Sequence, residues 1–197
     1  MITKETFEKI KKEIINKLTL HLPADLFYHG VHHTLDVLEQ AERIAHEEKV
    51  TYENDLQLLR IASLYHDSGF LVTYDDHEEA SCKLARKELP AFHISEDEID
   101  WICGMIMATR IPQIPLNHLE RIICDADLDY LGRDDFFDIS QALYQELKNK
   151  EIINKLDEWN KVQVSFFKQH LYFTKSNQKL RTPIKEKHLK IIEESIK

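Results

Sequence analysis

The stretch Leu64-Tyr65-His66-Asp67-Ser68-Gly69-Phe70 sets an imidazole and a carboxylate side by side at the end of an apolar run. Leu56, Leu59, Ile61, Ala62 and Leu64 lead up to the pair and predict a helix that delivers it into the interior. Burial disfavours charge, so an interior His-Asp pair needs compensation. A divalent ion compensates both groups, because imidazole and carboxylate are ligands for Mg, Mn, Fe, Co, Ni or Zn. His33 and Asp127 also stand near the start or end of apolar helical segments. Singly, each of these residues is as well explained by a core or helix-end role. Jointly, His33, His66, Asp67 and Asp127 supply two imidazoles and two carboxylates, a set that suits a divalent ion with open water positions.

The elements that must position them read as helices throughout. Phe7, Ile10, Ile14 and Leu18 fall at helical spacing, predicting a first helix from Thr3 to about Leu20. A loop carries Tyr28-His29-Gly30-Val31-His32-His33-Thr34 into a second helix running to about Glu48. The third starts near Thr51 or Glu53 and ends at the His-Asp pair. His77 opens a fourth, with Asp76 as its expected cap, and Pro90 stops it. Ser95 and Glu98 form a capping box for a fifth helix ending near Thr109. Asn117 caps a sixth that reaches Asp125-Ala126-Asp127, and Asp134 a seventh through Leu147. An eighth is expected from about Glu151 to Tyr172, and a last one opens with Pro183. The reading is one all-α domain, 1–197, a bundle of about eight or nine helices with no repeat or linker. Trp159, Phe166, Phe167 and Phe173 read as a core stripe.

Composition narrows the function. A net charge of -9 argues against a nucleic-acid polymer as partner. No apolar run is long enough to span a bilayer, so no membrane partner is expected. Cys82, Cys103 and Cys124 match no zinc-ribbon spacing and read as reduced thiols. With an opening segment that reads as a charged helix start, they suggest a cytoplasmic protein.

The order His, then His-Asp, then Asp on a helical chain resembles the HD-domain superfamily of metal-dependent phosphohydrolases, over Tyr28 to about Gly132. Tyr28-His29-Gly30-Val31-His32-His33 is similar to the Tyr-His-Asn-x-x-His opening of cyclic-nucleotide phosphodiesterases. That likeness implies His33 as the first metal ligand and His29 as the acid that protonates the leaving group. Asp127-Leu128-Asp129-Tyr130-Leu131-Gly132 is similar to the last metal Asp and following Leu-Gly of HD nucleotide triphosphohydrolases, which selects Asp127 over Asp125 as ligand. Asp125 is then either a residue orienting a histidine or a plain helix end. His170-Leu171-Tyr172-Phe173-Thr174 resembles the tail of small bacterial HD proteins, without a role following from it.

The resemblance implies hydrolysis of a small phosphate ester, a nucleotide or cyclic nucleotide, by a metal-activated water that Asp67 helps to orient. Departures from the family matter too. Phe70 stands where many HD hydrolases carry Lys, and Ala108 where a dinuclear site would add its last histidine. A fully ligated second metal is therefore not expected, although His77 could help hold a second ion loosely through a bridging Asp67. His77 also reads as a plain residue at an acidic helix start. Arg110 is a candidate for the substrate phosphate, or simply a cation at a helix C-terminus. The rival functions are a non-catalytic nucleotide-binding HD module and a di-iron HD oxygenase.

Overall fold

Caps and apolar stripes set the elements. Thr3 accepts a hydrogen bond from the Thr6 amide and opens α1 (Lys4–His21), which buries Phe7, Ile10, Ile14 and Leu18. The other long helices are α2 (Val31–Glu47), α3 (Glu53–Tyr65), α4 (His77–Glu88), α5 (Glu96–Ala108), α6 (His118–Asp127), α7 (Phe136–Asn149), α8 (Leu156–Gln169) and α10 (Thr182–Ser195), with a short α9 (Lys175–Leu180) before the last. Single 3₁₀ turns lie at Ser68–Leu71, Leu89–Phe92 and Asp129–Gly132. The computed structural model describes residues 2–196 and is all-helical, with no strand among them.

The reciprocal Ser95–Glu98 capping box and the Asn117 cap are both formed. Elsewhere the chain departs from expectation. Asp76 occupies the cap position of α4 in a left-handed conformation (φ 53°), so its side chain makes no cap bond. The cap position of α7 falls to Asp135, also without a side-chain bond, rather than to Asp134. The eighth helix is shorter than expected at both ends. Glu151 is left-handed (φ 58°), and His170 turns extended (ψ 132°). The segment after it folds back on α6, and α9, capped by Thr174, is an element beyond the eight or nine expected.

Two large cores divide the chain, with a small satellite cluster of Tyr144, Ile153 and Trp159 beside the second. The first joins α1 to α6 through residues such as Ile14, Ile44, Leu59, Ile61, Ile102 and Ile122. Each fully buried aliphatic of this kind contributes about 1.5–3 kcal/mol before entropy is counted. The second gathers Tyr28, Leu128, Tyr130, Leu131, Phe136, Phe167 and Ile192, and so ties the C-terminal helices to the two chain segments that flank the candidate ligands.

Polar clamps fix the join. Asp129 is fully buried and accepts from Arg43 Nη2 (2.7 Å), Asn177 Nδ2 (3.0 Å) and Arg181 Nε (3.0 Å). α2, α9 and the start of α10 are thereby tied to the 3₁₀ turn that follows Asp127. Replacing Asp129 by Ala takes the paired carboxylate from Arg181 and leaves Arg43 with its helix neighbour Glu47, in a partly buried setting. The expected loss is about 3–5 kcal/mol, the range for breaking a buried ion network. Asp135→Ala, which removes a more exposed ion pair with Arg133, should cost less than about 1 kcal/mol. Urea unfolding of both variants checks the difference.

Candidate metal centre and its cavity

α3 ends at Tyr65, and His66 takes the cap position with its ring fully buried. Its Nδ1 lies 2.8 Å from the Ser63 carbonyl, which can only accept, so Nδ1 carries the proton and Nε2 is turned to the centre. The turn that follows is pinned from α4. Ser81 Oγ donates to the His66 carbonyl (2.7 Å) and accepts from the Gly69 amide (2.7 Å). A Cβ at Gly69 would stand 1.9 Å from the His77 carbonyl oxygen, so only glycine lets α4 approach this closely.

The four expected ligands converge. His33 Nε2 is 3.1 Å from Asp127 Oδ1 and 3.5 Å from Asp67 Oδ2. His66 Nε2 is 3.4 Å from His33 Nε2, 3.3 Å from Asp67 Oδ2 and 3.7 Å from Asp127 Oδ1. Ligand atoms of His33, His66 and Asp127 all lie within 4.8 Å of one another. Asp67 Oδ2 is buried with no hydrogen-bond partner. A buried carboxylate oxygen left unpaired beside two imidazole nitrogens fits a divalent cation.

The electrostatics agree. Burial opposes charge on Asp67, but the histidines around it, His66 foremost, hold its carboxyl well below the usual range. Burial also opposes charge on His66, yet the Asp67 and Asp127 carboxylates raise it to about 9.

The remaining candidates separate. His77 Nε2 lies 3.5 Å from Asp67 Oδ1 and 3.4 Å from Glu78 Oε1, so it faces the second oxygen of the shared carboxylate. Asp125 points away from the histidines. Its carboxylate accepts from the Phe173 amide (2.8 Å), the Thr174 amide (2.8 Å) and Thr174 Oγ1 (2.6 Å), while burial pushes its pKa up to about 6. It orients the chain after α8, not a ligand. Arg110 is drawn to the acidic start of α4, 3.2 Å from Asp76, 3.4 Å from Glu78 and 3.3 Å from Glu79, and does not line the cavity.

His29 brings in a residue that sequence reasoning missed. Its Nδ1 is bonded to Glu146 Oε1 of α7. The other oxygen of Glu146 accepts the Tyr28 and His29 amides (2.9 and 3.1 Å), and Tyr74 donates to Oε1 (3.0 Å). Burial would raise the Glu146 pKa, but the donors from His29 and Tyr28 outweigh it and keep it a carboxylate. The available signal was a lone acid on an otherwise apolar helix face, between Leu143 and Leu147.

A cavity of about 270 Å³ opens on this centre. His29, Asp67, His77 and Asp127 line one part, and Leu143, Leu147, Trp159, Val162, Phe166 and Phe167 another. Trp159, Phe166 and Phe167 thus wall a cavity as well as filling the core stripe expected of them.

A family model described as HD domain matches residues 30–129. A crystal structure described as a predicted HD superfamily hydrolase, from an uncultured Thermotogales bacterium, is similar with a TM-score of 0.62 at 22% identity, over 94% of this chain and 90% of that one. A Lactobacillus plantarum protein of known structure is similar with a TM-score of 0.70 at 17% identity, over 99% and 98%. At such identities the likeness shows the fold. No curated protein matches the chain.

The geometry separates Asp127 from Asp125 experimentally. Asp127→Ala should weaken metal binding by at least about tenfold, with little change in helix content. Asp125→Asn should keep the metal and instead lower stability by about 1–3 kcal/mol, since an amide cannot accept all of its three donors. Metal titration and urea unfolding, run on both variants, check this.

Proposed function

We propose that this chain, which belongs to the HD-domain superfamily, is a metal-dependent phosphohydrolase acting on a small phosphate ester. The observation that carries the reading is the unpaired, buried Asp67 Oδ2 between His33 and His66, with Asp127 closing the set. His33, His66, Asp67 and Asp127 would hold the ion. A divalent ion bound there supplies Lewis acidity to a phosphoryl oxygen and acidifies water near neutral pH. Asp67, His77 and Glu78 are the residues that would hold a second, more loosely bound ion.

The chain's own groups perform the rest. Asp67 accepts a hydrogen bond from the attacking water and turns it toward phosphorus. His29 is the proposed general acid. Glu146 engages Nδ1 and so leaves Nε2 as the position from which a proton reaches the departing oxygen. Tyr74 and the Tyr28 and His29 amides hold Glu146 in turn, which keeps the imidazole from rotating. The resemblance implies a nucleotide as substrate, so a test panel contains mono- and cyclic nucleotides beside simple aryl phosphates. A cytoplasmic site of action belongs to the same reading. No helix of the described residues is long and apolar enough to cross a membrane.

Asp67→Ala should abolish metal-dependent turnover while helical ellipticity is retained. His29→Ala should retain the metal and slow hydrolysis by roughly a hundredfold. The loss should be much smaller on p-nitrophenyl esters, whose leaving group needs no proton. Metal content, circular dichroism and rates on both ester types provide the check. Full turnover by a metal-depleted Asp67→Ala protein would overturn the reading, and equal slowing of both ester types by His29→Ala would remove His29 as the acid.

A further inference from the structure

The cavity does not stop at the ligands. On α7, Phe136, Leu143 and Leu147 recur on one face, and on α8 so do Trp159, Val162 and Phe166; all six line the same space as His29 and Asp127. Two apolar stripes at this spacing ordinarily pack into each other. Here they leave a cavity between them that runs into the metal centre.

Away from the candidate ligands, the polar groups of Ser140, Trp159 and Gln163 are already paired. Ser140 Oγ donates to Gln163 Oε1 (2.6 Å) and accepts from Trp159 Nε1 (3.3 Å), while Gln163 Nε2 donates to Asn160 Oδ1 (3.3 Å). These groups therefore offer a ligand little beyond hydrocarbon contact, and a sugar's hydroxyls or a base edge would lose water without replacement.

The charge pattern points the same way. Among the described lining residues the ionisable groups are Asp67, Glu78, Asp127, His29, His77 and the two tyrosines Tyr28 and Tyr74 besides Tyr130, with no lysine or arginine. Arg110 is engaged by Asp76, Glu78 and Glu79, and Lys150 by Asp25 (2.7 Å). One phosphate can be neutralised at the metal centre. A second or third would lie against carboxylates without a counter-charge.

We infer that the substrate is the phosphate ester of a neutral, apolar alcohol, an alkyl or aryl monophosphate whose body lies between α7 and α8. The inference rests on the phosphohydrolase reading for the placement of the phosphate. At about 270 Å³ the cavity lies just under the ~300–1,000 Å³ of drug-sized pockets, so that body is small.

Non-hydrolysable alkylphosphonates test this apart from turnover. The chain has two tryptophans, and Trp101 is exposed, so Trp101→Phe leaves Trp159 as the reporter on the cavity wall. The Mg-supplemented protein is titrated with methyl-, butyl-, hexyl- and octylphosphonate, and with ADP and ATP. Trp159 emission should shift, and affinity should tighten roughly fourfold for each methylene buried until the cavity is full. Val162→Phe, a change at a half-exposed wall position, should remove the gain for the longer chains while near- and far-ultraviolet dichroism confirm the fold.

Affinity independent of chain length, or tighter binding of ADP or ATP than of octylphosphonate, would overturn the inference. A parallel assay of phenyl, naphthyl and hexyl phosphate against mono- and cyclic nucleotides keeps the two proposals apart. Chain-length-dependent binding without turnover of any ester sinks the phosphohydrolase reading and leaves the cavity assignment. Turnover of nucleotides with flat phosphonate affinities does the reverse.

Discussion

Two carboxylates cannot share a buried space with nothing positive between them. Asp67 and Asp127 both face His33 and His66, and one oxygen of Asp67 has no hydrogen-bond partner. The Asp67 and Asp127 carboxylates hold the His66 pKa up to about 9 against the pull of burial. The unpaired Asp67 oxygen and the two imidazoles form a set that fits a divalent ion, and the surrounding structure fixes those atoms within a few ångströms of one another.

The holding is done from behind. Ser63 fixes the His66 tautomer, and Ser81 locks the turn that carries Asp67. Gly69 admits α4 to near contact, bringing His77 up to the free edge of the same carboxylate. Asp125 and Asp129 flank Asp127 by two residues on either side, and neither touches the centre. One anchors the chain at Phe173–Thr174, and the other binds Arg43, Asn177 and Arg181. Three acids spaced two apart thus have one aimed inward and two serving as anchors for the C-terminal third of the chain.

The parts of this that were legible in the sequence are those that local rules determine. A His-Asp pair at the end of an apolar helix can be read from Leu56 to Asp67, and capping at Ser95 and Asn117 from side-chain chemistry alone. The convergence of His33 and Asp127 on that pair came from the family resemblance more than from spacing. What could not be read depends on distant partners. Glu146 lies 117 residues from His29, and nothing local to either announces the bond. Arg110 was sited correctly along the chain, but three acids near the start of α4 claim its charge. Asp76 failed as a cap because its backbone turned left-handed, which the side-chain chemistry of an aspartate does not announce. Trp159 and Phe166 fit a core stripe by period, and period cannot distinguish a filled interface from one with a cavity in it.

That last ambiguity has a structural cause. The first core, built from α1 to α6, carries His33, His66 and Asp127 on its rim; the second, built on the C-terminal helices, begins at Tyr28 and Leu128, beside the same ligands. The ligand cluster therefore sits at a seam, where neither core alone determines the packing. Groups at a seam can be buried enough to perturb their charges yet remain reachable along the gap between α7 and α8. Glu146 crosses it, emerging from α7 to bind the segment that leads into α2. The proposed acid is thus held by the second core and the proposed ligands by the first. The relative position of the two cores, rather than either one by itself, sets the distance between the residue that would donate the proton and those that would hold the ion.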